Sequence, residues 1–206
     1  MRKSRYASGI IFLTVIIMIA SIIGYASQGY FVKHSGYAGV AFGTAVINIT
    51  SGLSITLIDL NISLGNGTID QSSDFAILES TGADAVNGTW APVNDPFVLE
   101  NGGNVYANIT ITAAVDASTW FGGTPTYAAM YFNYTEYEEN SCLLHPAVGH
   151  GTWAALPSLD ENQTCQKLNF SESSDAMRID IRLHVPADAP PGKKENSITF
   201  TAMQSE

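Results

Sequence analysis

The sequence predicts an all-β fold, a single antiparallel β-sandwich behind an N-terminal hydrophobic helix. Three observations carry that expectation. Apolar and polar residues alternate at period two in several short stretches, as strands with one wet face do. Gly, Pro and Asn punctuate these stretches at spacings of roughly ten residues, the rhythm of a sandwich. Helical 3.6-residue periodicity is confined to the leader. A chain of 206 residues is long enough for one domain with a core of its own.

Composition narrows the function classes. Only 14% of residues are charged, against about 25% in ordinary soluble chains. Ser, Thr, Asn and Gly hydrate the surface instead. The net charge is −10, and no Lys or Arg occurs between Lys33 and Lys167. A basic footprint is absent, so nucleic acid is not an expected partner.

Residues 1–26 read as a signal peptide or membrane anchor. Arg2, Lys3 and Arg5 precede an uncharged run from Tyr6 to Val32, centred on Ile10–Ile23. A basic end followed by an apolar block is the layout of an export signal. Gly24-Tyr25-Ala26 offers a cleavage site before Ser27. At about 20 residues the run is equally long enough to span a bilayer uncut, and contact with a membrane is expected only through residues 6–26. Export leaves 19 acidic side chains against 6 basic ones. Gly29, Gly36 and Gly39 argue against a long helix continuing beyond the leader, as a type IV pilin would need.

Residues 27–49 form a separate extended segment with one formal charge, Lys33. Ala38, Val40, Phe42, Thr44 and Val46 share one face of an extended chain. Such a strand pairs with its own sheet or donates itself to a neighbour's open edge.

Residues 50–206 supply the sandwich. Leu53, Ile55 and Leu57 alternate, then the phase flips to Leu60, Ile62 and Leu64, which predicts a β-bulge near Ile58. Phe97–Glu100 and Val105–Thr112 flank Asn101-Gly-Gly-Asn, a hairpin signal, with Ile109 and Ile111 inward and Asn108, Thr110 and Thr112 outward. Met130, Phe132 and Tyr134 alternate with outward Asn133 and Thr135. The clearest strand is Met177, Ile179, Ile181, Leu183 and Val185 against Arg178, Asp180, Arg182 and His184. A Pro/Gly turn then leads to a return strand through Ile198, Phe200 and Ala202.

The segments Phe97–Ala113, Val185–Gly192 and Ile198–Ala202 resemble those of archaeal secreted Ig-like surface proteins. More distantly, the layout is similar to TasA/camelysin-type fibre subunits and archaeal bundling pili. The resemblance touches about a third of the chain. It implies an Ig-like or jelly-roll-like sandwich, export, and an N-terminal strand that completes a neighbouring subunit; Ala41–Ile49 lies where those proteins carry an early Gly-containing strand.

The Asn-x-Ser/Thr pattern occurs at Asn48, Asn61, Asn66, Asn87, Asn108, Asn133, Asn162 and Asn169. Random placement of the chain's 13 Asn among its 36 Ser and Thr would give about 2 such sites. With export, the excess points to N-linked glycans projecting from the surface.

Cys142 and Cys165 are the only cysteines, and export makes one disulfide the expected state. The spacing Cys142-x2-His145-x4-His150 resembles a copper-ligand loop. It lacks the axial Met, however, and a thiolate bonded to Cys165 cannot bind metal. Asp70 with Asp74, Glu136 with Glu138 and Glu139, and Asp160 with Glu161 form acidic pairs but no EF-hand loop. No metal or cofactor is expected. Nucleophile-elbow, zinc-protease and phosphate-cradling motifs are absent, so no catalytic residue is assigned and the chain is read as a non-enzyme. The leading expectation is an extracellular, glycosylated cell-surface protein that self-associates into pilus-like filaments by donor-strand complementation. The alternative is a monomeric surface-anchored adhesin or carbohydrate-binding module that uses Trp90, Trp120 and Trp153 to stack on glycans.

Overall fold

The computed structural model describes Ile47 and residues 50–158 and 161–206. The leader, the strand face Ala38, Val40, Phe42, Thr44 and Val46, and the Asn48 sequon lie outside the described residues. The chain divides into Met1–Asn48 and Ile49–Glu206. The second unit is built from strands β1 (Thr56–Asp59), β2 (Phe75–Glu79), β3 (Phe97–Glu100), β4 (Ala107–Ala113), β5 (Ala129–Glu136), β6 (Ala154–Ala155), β7 (Asn162–Leu168), β8 (Ala176–Pro186) and β9 (Ile198–Gln204). Helix α1 (Ala117–Phe121) and a 3-10 turn at Pro125–Tyr127 join β4 to β5. Among the described residues no helix is long and apolar enough to cross a membrane.

Two antiparallel sheets face each other across one core. The larger runs β1-β3-β8-β5-β6, with β2 also on β8; the smaller runs β7-β4-β9. The 11-residue β8 is the spine: β2 and β3 share one of its edges in tandem and β5 takes the other. Its predicted alternation holds, since Met177, Ile179, Ile181 and Leu183 are buried. On its outer face Asp180 is enclosed too. It accepts from Arg178 Nε at 2.7 Å and from Ser80 Oγ at 3.0 Å, so the buried charge is fully paired. Ile109 and Ile111 of β4 meet Phe132 and Tyr134 of β5 in the same core, and Phe97 of β3 packs edge-on against Phe200 of β9 at 5.5 Å.

The expected bulge is present. The β1–β3 register slips between Leu57 and Asp59, where the sequence changes phase. The expected hairpin at Asn101-Gly-Gly-Asn is not, because β3 and β4 belong to different sheets. Asn101 is fully buried. Its amide donates to Val105 O at 2.9 Å and its Oδ1 accepts Gly103 N–H at 3.1 Å, which folds the four residues into a corner between sheets. Gly103 is required there, since a Cβ would strike the Gly52 carbonyl. The return strand is corrected in the same way. Strand β9 pairs with β4, not with β8, because both edges of β8 are already occupied.

Alternation alone did not reveal β2, β7 or α1. In β7 the β4 register slips at two places, which scrambles period two. Helix α1 is too short for periodicity; it is set by Asp116, which accepts from Thr119 N–H at 2.8 Å, and by Gly122 at its end. Those hydrogen bonds, from the Ser118 hydroxyl first, draw the Asp116 pKa down to about 2.

Candidate functional site

The smaller sheet does not cover the whole inner face of the larger one. Phe97 against Phe200 sets β9 over β3, and β1 lies on the far side of β3 from β8. Among the described residues no strand stands beside β9 above β1. The gap is a groove of about 660 Å³. Leu57, Leu60, Ile62 and Leu64 form one bank, residues 194–198 the other, and Phe97, Met130, Ile181 and Leu183 reach it from the core. Leu60 is 66% exposed, an apolar side chain with nothing over it. The phase flip that predicted the bulge also supplies this bank, because it turns Leu60, Ile62 and Leu64 as a second apolar set. Nothing in the sequence indicated that β9 would be an edge strand.

The sequons fall into two groups. Asn61, Asn66 and Asn87 are exposed on loops, Asn87 with a left-handed backbone at φ 60°. Asn108, Asn133, Asn162 and Asn169 are half-buried on or beside strands. Asn108 and Asn133 do turn away from the core, as alternation predicts, yet the Oδ1 of each is enclosed and unpartnered.

Cys142 and Cys165 are joined, with Cα atoms 5.9 Å apart. The bond ties residues 142–144 alongside β7, where Leu143 N–H donates to Lys167 O and Gln166 N–H to Leu144 O, both at 2.9 Å. A closed disulfide is the state favoured in an oxidising compartment. The loop it anchors folds His145 and His150 onto each other, ring centroids 3.7 Å apart. Tyr134 Oη sits 3.3 Å from His145 Nδ1, and Glu136 lies 3.9 Å from its Nε2. The disulfide occupies the thiolate that a copper site would need. Among the described residues no group of three His, Cys, Asp or Glu could hold a metal ion.

Among the acidic pairs, Glu136 and Glu138 serve the backbone, while Glu161 accepts the hydroxyls of Thr110 and Thr201. Glu136 accepts Asn140 N–H and Glu138 accepts Asp175 N–H; Asp160 lies outside the described residues. Burial, with Glu100 and Glu138 close by, pushes the Asp175 carboxyl up. The three tryptophans do not assemble into one platform: Trp90 and Trp120 pack on the core, and Trp153 lies beneath Arg182 at 4.2 Å.

Two histidines make the fold acid-sensitive. Burial, then the neighbouring His150, lowers the His145 pKa; burial, then Arg182, lowers that of His184. Their folded values lie below the usual ~6.5, so the unfolded chain takes up protons first as pH falls. The stability they contribute is complete above about pH 6.5 and is lost as pH drops through the folded values. Thermal melts at pH 7.5 and 5.0 should show a lower Tm in acid, and His184→Gln should flatten that dependence.

No protein-family model matches the chain, and no curated protein matches it in sequence.

Proposed function

We propose that the chain is a non-enzymatic, N-glycosylated structural protein of the cell surface, a filament or pilus-like subunit. In this reading segment 27–49 of one copy completes the sandwich of the next by donor-strand exchange. The observation that carries it is the groove at the start of β9, with Leu57, Leu60, Ile62 and Leu64 on one bank and the polar residues Lys194–Ser197 on the other, next to a strand that has a partner on one side only among the described residues. Ala38–Val46 is long enough to run the seven residues of β9, and its Ala38, Val40, Phe42, Thr44 and Val46 face suits the bank of Leu57, Leu60, Ile62 and Leu64. An added strand makes main-chain hydrogen bonds along the open edge and fills the groove with alternate side chains. Repetition of such a head-to-tail contact gives an open filament. The leader, the sequon excess and the disulfide support an extracellular location, and the gap in the smaller sheet is compatible with an Ig-like or jelly-roll-like sandwich awaiting one more strand.

Electron microscopy of the exported protein tests the reading. Filaments that persist in high salt are expected, because the donor face Ala38–Val46 carries no charge to pair with Lys194 or Glu195; monodisperse single domains at high concentration would overturn it. That second result would favour a monomeric surface-anchored adhesin or carbohydrate-binding module, a reading supported by the rings of Phe75, Tyr131, His184 and Trp153 around the outer face of the larger sheet.

A further inference from the structure

Two of the eight sequons share a pattern that the others lack. Tyr106-Ala107-Asn108-Ile109-Thr110 and Tyr131-Phe132-Asn133-Tyr134-Thr135 both read Tyr-x-Asn-x-Thr. Strand β4 is the middle strand of the smaller sheet, and β5 lies between β8 and β6 in the larger. Tyr106 extends the β4 ladder, since its carbonyl accepts Ser205 N–H at 2.8 Å. Residues two apart on a strand share a face, about 7 Å from each other. Tyrosine, asparagine and threonine therefore form a row on the outer face of each sheet, while Ala107, Ile109, Phe132 and Tyr134 are buried in the core.

The two asparagines are also chemically distinct. Among the described residues theirs are the asparagine side chains with an enclosed oxygen that has no hydrogen-bond partner, a state proteins rarely leave uncompensated. Each tyrosine belongs to a wider platform. Tyr106 meets Phe170 edge-on at 4.9 Å, with Lys167 Nζ 4.6 Å above its ring. Tyr131 meets His184 at 5.0 Å and stands opposite Arg182, which covers Trp153. Around Asn133 the charges are already paired, Arg182 with Glu79 and Arg178 with Asp180. Around Asn133 a face of flat rings and self-paired charges suits a neutral sugar, and beside Asn108 the Lys167 ammonium over Tyr106 donates to Glu206 O at 2.8 Å. The C–H face of a pyranose buries apolar surface on the ring and places its weakly positive hydrogens on the negative π face.

We propose that these faces are seats for the chain's own glycans. The first sugar on Asn108 lies against Tyr106, and the first sugar on Asn133 lies against Tyr131. The proposal rests on the glycosylated reading above and specifies which sites hold their sugar and how. Attachment takes a lipid-phosphate-linked sugar as donor. The N–C1 bond forms and the C1–O bond to phosphate breaks; the phosphate leaves with the bonding pair, and the amide nitrogen gives up one proton. In the folded chain Thr110 is 4% exposed and its hydroxyl donates to Glu161 at 2.7 Å, so the transferase must reach Asn108 before β4 closes on β7. The exposed sequons Asn61, Asn66 and Asn87 have Asp59, Leu64 and Ala85 two residues upstream. Their glycans extend into solvent without a ring beneath.

The test uses the full chain secreted by a host that performs N-glycosylation, with site occupancy read by mass spectrometry. In the wild type, protons of the first sugar at Asn108 and Asn133 should shift upfield by ring current in NMR spectra. Tyr131→Ala should lower the Tm by roughly 2–4 °C more in the glycosylated chain than in an Asn133→Gln background, and Tyr106→Ala should behave likewise against Asn108→Gln. Unshifted sugar resonances at occupied sites, additive substitutions, or empty Asn108 and Asn133 beside filled loop sites would each overturn the proposal and leave the glycoprotein reading standing. Eight empty sites would end both.

Discussion

Chains carrying Val40→Asp and Phe42→Asp are expected to remain folded monomers under conditions in which the wild type forms filaments. The two substitutions put carboxylates on the face that is to lie in the groove, against Leu57, Leu60, Ile62 and Phe97. A buried, unpaired charge is costly enough to be excluded from such a contact. In this account the acceptor domain folds on the core that its described residues supply, from Ala76 to Leu183. Sedimentation should therefore show a single slow species with the thermal transition of the isolated domain. Unfolding of the double mutant, with a wild type that stays monomeric, would make the segment an intramolecular strand.

Replacing Cys142 and Cys165 together with Ser is expected to lower stability by about 3 kcal/mol, since the bond closes a loop between residues 23 apart. That corresponds to a Tm lower by roughly 6–12 °C for a domain of this size. Both sulfurs are buried, and the segment they hold lines up beside β7 through two backbone hydrogen bonds. Releasing it frees the 142–151 loop and the stacked His145–His150 pair with it. Calorimetry of the double mutant, or of wild type in reductant after partial unfolding, reads the loss. A Tm unchanged within one or two degrees (about the effect of an ordinary surface substitution) would mean that the ladder along β7 holds the loop alone.

Individual strands were legible because period two is local. Met177–Val185 and Met130–Tyr134 declare an inner and an outer face with no reference to the rest of the chain. The bulge at Ile58 was legible for the same reason, as a change of phase. Strand pairing was not. Asn101-Gly-Gly-Asn satisfies every local condition for a hairpin, yet the Asn101 side chain turns inward to Val105 O and carries the chain to the other sheet. The partner of β9 was hidden likewise, because it depends on which edges remain free once β8 has taken β2, β3 and β5. The groove follows from that arrangement. Its Leu and Ile bank is visible in the sequence, but the absence of a strand above it among the described residues is a property of the two sheets together. The disulfide was readable from the cysteine count and the leader alone. The Tyr-x-Asn-x-Thr rows were in plain sight, and they acquired meaning only when both asparagine oxygens proved enclosed and unpartnered.

Photo-crosslinking from position 42 tests the assembly account most directly. Phe42 is replaced by a benzophenone-bearing amino acid in unlabelled chains, which are mixed with ¹⁵N-labelled wild-type chains under assembling conditions and irradiated. The account predicts mixed-isotope peptide pairs joining the probe to residues 57–64 or 194–198 of a labelled chain. Adducts confined to the unlabelled chain, or mixed pairs that map away from the groove, would contradict it.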